Sequence, residues 1–123
     1  MKGLGLDLCQ VSRIEKALSE SEGFLNRYYA QEEREYLQTR GKMAGQSAAA
    51  MFAAKEAFLK AAGIGIGQGV ALAEIIIAHK PGGAPFYRVT GAAKKRMEQM
   101  GVQNVYLSLT HENGLAAAVC LME

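Results

Sequence analysis

The chain has 123 residues, 50% of them hydrophobic and 21% charged, with a formal net charge of +2. That length and balance fit one domain spanning residues 1–123 and exclude a disordered chain or a strongly basic nucleic-acid binder. No apolar run approaches the roughly 18 residues of a membrane span and no charged leader precedes one, so a cytoplasmic protein is expected, with Cys9 and Cys120 as reduced, packed thiols and no membrane partner.

Gly3-Leu4-Gly5-Leu6-Asp7-Leu8 alternates, which predicts a strand with the leucines on one face and Gly3, Gly5 and Asp7 on the other, where something can come close. Asp7 either caps the helix that follows or offers oxygen ligands to a hard cation such as Mg²⁺. Val11, Ile14 and Leu18 recur at helical spacing, and Gly23 closes that segment. Phe24 to Tyr29 is apolar except for Asn26 and Arg27. It leads into a helix near Gln31 to Gln38, whose first turn holds Glu32 and Glu33, favourable for the helix dipole. Arg40 to Gly45 reads as a basic turn, with Ser47 a possible N-cap.

From Ala48 to Ala62 the chain is a strong helix former, apolar nearly all round, so it is expected to be buried. Its charges, Lys55, Glu56 and Lys60, then need partners. Lys55 falls among Met51, Phe52, Phe58 and Leu59. Glu56 and Lys60 stand one turn apart, either as an ion pair or as a carboxylate holding a cation beside a lysine for an anion. The glycines of Gly63-Ile64-Gly65-Ile66-Gly67-Gln68-Gly69 follow a helix C-terminus, where the dipole disfavours anions, so they end the helix and turn. Glu74 to Ala78 and Phe86 to Thr90 read as an antiparallel pair around a Pro81 to Pro85 turn. Ala93, Met97 and Met100 give one face of a short helix ended by Gly101, with Lys94, Lys95 and Arg96 as a solvated face. Two more strands, Val105 to Leu109 and Leu115 to Met122, flank Thr110 to Gly114, a turn with Asn-Gly chemistry that carries His111.

Three motifs in this order, Gly3 to Leu8 with Arg13-Ile14, Phe52-Ala53-Ala54-Lys55-Glu56-Ala57 with Lys60, Gly63 and Gly65, and Ser108-Leu109-Thr110-His111, resemble the bacterial holo-acyl-carrier-protein synthase type of 4'-phosphopantetheinyl transferase. The resemblance covers nearly the full length. It implies an α+β fold with helices packed on a small, mainly antiparallel sheet, and transfer of the phosphopantetheine arm of coenzyme A to a serine of an acyl carrier protein. It further implies that Asp7 and Glu56 hold Mg²⁺, that Lys60 reaches the pyrophosphate or reacting centre, and that Glu56, directly or through a metal-bound water, is the first choice of base. Coenzyme contacts would come from Lys60, Gly63, Gly65, Thr110 and His111, with His111 on a phosphate, and Lys55 would be structural. Relatives of this type are trimers with sites between subunits, and Arg13, Phe24 and Arg27 match positions where they dock the carrier protein. The chain departs from relatives at Met51, where Arg is common, at Ile64 and at Ala30. A non-catalytic member that binds coenzyme A or carrier protein is the alternative.

Overall fold

Gly3 and Gly5 allow the first strand to lie directly on the backbone of the longest helix. In the computed structural model, which describes residues 1–123, β1 (Gly3–Gln10) rests on α4 (Ala44–Ala61). A Cβ added at Gly3 or Gly5 would collide with the carbonyl oxygens of Ala61 and Ala57. What comes close to the glycine face is therefore this helix. Thirteen of the 18 residues of α4 are buried, so it forms the centre of the core, as its composition predicts.

Around it the fold is α+β. Helices α1 (Val11–Glu20), α2 (Gly23–Tyr28) and α3 (Gln31–Gln38) precede α4, and α5 (Gly91–Met100) follows later. Strand β1 pairs antiparallel with β5 (Leu115–Met122), which pairs antiparallel with β4 (Val105–Glu112), giving the order β1-β5-β4. A separate antiparallel pair joins β2 (Ile75–His79) to β3 (Pro85–Val89). The far side of the larger sheet carries Leu4, Leu6 and Leu8 at 56–64% exposure, with Tyr106 and Leu115 also open. No helix is long and apolar enough to cross a membrane.

Four local expectations change. Helix α4 begins at Ala44, straight out of a 3₁₀ turn at Gly41–Met43, so Ser47 lies inside the helix; its Oγ accepts from Arg40 Nε at 3.2 Å and caps nothing. Thr110, His111 and Glu112 belong to β4, because Asn113 and Gly114, with φ of 52° and 78°, make the reversal in two residues. Gly23 opens α2 instead of closing α1. Arg96 is not wholly solvated: its Nε and Nη2 donate to the Ala62 carbonyl at 3.0 and 2.9 Å, placing a cation on the C-terminus of α4. That terminus ends on Gly63, at φ 71°, with Ile64 N–H returning to the Leu59 carbonyl, so the first loop glycine stops the helix as expected.

Candidate active site

The alternation of β1 turns Asp7 inward onto α4, where its side chain is 10% exposed. Lys60, the last residue but one of α4, donates its Nζ to Asp7 Oδ1 at 2.9 Å and to the Leu6 carbonyl at 3.0 Å. Glu56 makes no ion pair with Lys60, because the lysine turns to the strand. Asp7 is not a helix cap either, since Gln10 holds that position for α1.

Asp7 Oδ2 is buried and has no hydrogen-bond partner. The Glu56 carboxyl beside it is pushed up to about 7, first by burial and then by the adjoining Asp7 carboxylate, against the pull of Arg13 and Lys60. Two crowded carboxylates, one with an orphaned oxygen and one that resists ionisation, fit a hard divalent cation. No third acid, histidine or cysteine joins them. That donor set suits Mg²⁺, which binds through one or two carboxylates and fills its shell with water and substrate phosphate.

Lys55 points the other way, into the core, and is fully buried. Its Nζ donates to Glu33 Oε1 at 2.7 Å and to the carbonyls of Leu72 and Ile75 at 3.0 and 2.8 Å, and it lies 5.3 Å from the Tyr29 ring centroid. Burial draws the ammonium pKa down, and the charge of Glu33 opposes that shift. The structural role expected of Lys55 is met. Its partner was not foreseen: Glu33 is buried and does more than complement the dipole of α3.

His111 stands at the opposite end of α4, where its Nδ1 lies 2.8 Å from Gln46 Nε2. Both line a cavity of about 250 Å³ with Tyr36, Arg40, Ser47, Met51 and His79. Tyr36 stacks on His79 with centroids 4.2 Å apart, and the Arg40 guanidinium lies 5.5 Å from the Tyr36 ring centroid. Burial and the charge of Arg40 lower the His79 pKa. The lining contains no acid, so the cavity offers cation and N–H donors to an anion. Gln46 and Glu56 are ten residues apart on one helix, roughly 15 Å along its axis. One chain therefore does not bring His111 to the carboxylates. Thr110 lies toward the other face of β4, in a shallow depression with Leu6, Ser108 and Val119. Gly63 and Gly65 sit past Lys60, and Gly65 N–H donates to Gln68 Oε1 at 2.7 Å.

The residues expected to dock a carrier protein do meet. Phe24 packs on Phe52 with centroids 5.7 Å apart, Arg13 lies 5.8 Å from the Phe52 ring centroid, and Arg27 lies 5.4 Å from that of Tyr28, which contacts both phenylalanines. A different cavity, of about 330 Å³ between α1, α2 and α3, is lined by Leu18, Leu25, Leu37 and Arg34 and holds none of the expected site residues. Gln46, Tyr36 and His79 were not singled out in the sequence.

Residues 3–120 match the model of the 4'-phosphopantetheinyl transferase superfamily, and the chain belongs to that family. It is 42% identical over 121 residues to the holo-[acyl-carrier-protein] synthase of Treponema denticola, covering 98% of this chain and 97% of that one. The synthase of Trichlorobacter lovleyi is 38% identical over 122 residues, with 98% and 96% covered. Among solved structures, the synthase of Neisseria meningitidis superposes with a TM-score of 0.91 at 32% identity, covering 100% of this chain and 98% of its own. The Helicobacter pylori synthase in complex with coenzyme A gives 0.84 at 30% identity, with 98% and 99% covered.

Proposed function

We propose that this chain is a holo-[acyl-carrier-protein] synthase, moving 4'-phosphopantetheine from coenzyme A to a serine of apo acyl carrier protein and releasing adenosine 3',5'-bisphosphate. Full-length similarity to synthases, one of them solved with coenzyme A, supports this. The observation that carries it on the chain itself is the Asp7–Glu56–Lys60 cluster, with its orphaned carboxylate oxygen.

Asp7 and Glu56 would hold Mg²⁺, which when bound offsets the charge of the pyrophosphate. Lys60, 57% exposed at its side chain, has donor capacity beyond Asp7 and Leu6 for a phosphate oxygen. No lysine or arginine salt-bridges Glu56, which leaves its carboxylate to take the serine proton. The serine oxygen then bonds to the phosphorus that carries the pantetheine arm, and the bond to the bridging oxygen breaks. The electron pair leaves with the adenosine bisphosphate. At the other end, His111 and Arg40 would take a coenzyme phosphate, while Arg13, Phe24 and Arg27 would receive the acidic carrier beside Glu56, whose carboxyl already feels the charge of Arg13.

Because His111 and the carboxylates lie at opposite ends of α4, a complete site needs a second copy, which supports a homotrimer with sites between subunits. The open Leu4, Leu6 and Leu8 face supplies an apolar surface for that assembly. Residues 1–123 would act as one domain in the cytoplasm, where the two free, buried thiols stay reduced. The test is incubation with radiolabelled coenzyme A and an apo carrier protein. Label on the carrier supports the proposal, and coenzyme or carrier binding without transfer favours a non-catalytic member.

A further inference from the structure

Helix α4 meets β1 across glycine. Where a Cβ at Gly3 or Gly5 would strike the helix carbonyls, strand and helix touch backbone to backbone, and no side-chain ridge from those residues fixes the roll of the helix on the strand. Yet Asp7 and Glu56 face each other across this same contact. Across this contact the half-exposed Lys60 reaches Leu6 and Asp7; buried directional restraint comes from other parts of the helix, where Tyr29 Oη donates to the Ala48 carbonyl at 2.7 Å, Tyr87 Oη to that of Ala54 at 2.6 Å, and Lys55 Nζ makes three bonds.

Lys55 is the restraint nearest to Glu56, one residue away and about 100° around the helix. Its anchor is Glu33, whose Oε1 also accepts from Ala30 N–H at 2.8 Å and whose Oε2 accepts from Ile77 N–H at 3.0 Å. One carboxylate thus joins the start of α3, strand β2 and helix α4. A buried ion pair is a poor device for stability alone, because apolar replacement is often neutral or better. What it supplies is direction, with every ammonium proton assigned to a fixed acceptor.

We propose that Glu33, acting through Lys55, is a positioning residue that sets the roll of α4 and so holds Glu56 against Asp7 at the spacing a divalent cation requires. This rests on the reading of Asp7 and Glu56 as the metal carboxylates. Glu33 touches neither substrate nor metal, and neither it nor Lys55 bonds to Asp7 or Glu56, so it acts only through the placement of α4.

The test compares Glu33→Asp, which keeps the charge but shortens the reach, and Glu33→Gln, which keeps the shape, with Leu37→Ala, a core truncation on the same helix. Mg²⁺ binding to the full-length metal-free protein is measured by calorimetry beside melting temperature, kcat and carrier KM. Both Glu33 variants should weaken Mg²⁺ binding severalfold, toward the roughly tenfold that loss of a partner bonded directly to a ligand costs, and lower kcat while leaving carrier KM nearly unchanged. Leu37→Ala should lose stability and keep its Mg²⁺ affinity. Parent-like Mg²⁺ affinity in folded Glu33 variants, or an equal loss in Leu37→Ala, overturns the proposal. If neither Glu33 variant folds, Lys55→Arg, which retains the charge but redirects its donors, carries the same comparison. A parent that binds no Mg²⁺ defeats the metal reading itself, and this inference with it.

Discussion

Lys60 reaches across from α4 to Asp7 of β1 at 2.9 Å and leaves Glu56, one turn back on its own helix, without a lysine. This choice keeps one cation and two carboxylates in the same cluster. Asp7→Asn and Glu56→Gln should each abolish Mg²⁺-dependent transfer with the melting temperature at or above that of the parent, because each removes one of two crowded acids. Near-normal turnover at ordinary magnesium in either variant would show that the metal is held elsewhere.

The glycine contact yields a stability prediction. Gly5→Ala puts a methyl group into the Ala57 carbonyl, and helix and strand can separate only by disturbing the core, so a loss of about 1–3 kcal/mol or more is expected. Gly82→Ala, with open space around its Cα, is the control. Equal denaturation midpoints for the two would mean that β1 and α4 are not held in this close approach.

What the sequence made legible follows from the same physics. Periodicity and composition located α4, β1 and β5, because apolar alternation and alanine-rich helical runs report burial directly. The C-terminal stop was also readable, since a glycine at positive φ after the last turn has few other uses. The partner choices were not. Glu33 looks like a surface acid in a first turn, and only the packing of α3 on β2 sends it inward to Lys55 and Ile77. Likewise the spacing of Glu56 and Lys60 permits an ion pair, and the arrival of Asp7 from 53 residues away decides against it. The distance between His111 and the carboxylates is a property of the helix between them, which no motif expresses.

That separation gives the assembly prediction. In the proposed homotrimer, mixed assembly of Glu56→Gln and His111→Ala chains would create interfaces where an intact carboxylate pair faces an intact His111. Mixing the two inactive proteins under verified subunit exchange should therefore restore part of the transfer activity. No recovery would place His111 in the same subunit's reaction or in none.

The cavity beside His111 allows a sharper prediction about charge. Met51, 1% exposed, lies in its lining at the position where the family resemblance leads one to expect Arg, while Arg40 stands over Tyr36 in the same space and Lys42 does not line it. If Arg40 supplies the missing cation, it makes a charge-assisted contact worth about 1.5–3 kcal/mol, or roughly tenfold or more in affinity. Arg40→Ala should then raise the KM for coenzyme A by that factor with kcat little changed, because a grip remote from the reacting phosphorus adds nearly uniform binding. Lys42→Ala should leave that KM alone. The decisive variant is the double one, Arg40→Ala with Met51→Arg, which returns a guanidinium to the cavity from the helix side and should recover most of the lost affinity. Dephosphorylated coenzyme A, lacking the terminal phosphate, should bind parent and Arg40→Ala alike. A uniform loss for both forms of the coenzyme would instead mean that Arg40 shapes the cavity through its contacts with Tyr36 and Ser47 and grips no phosphate.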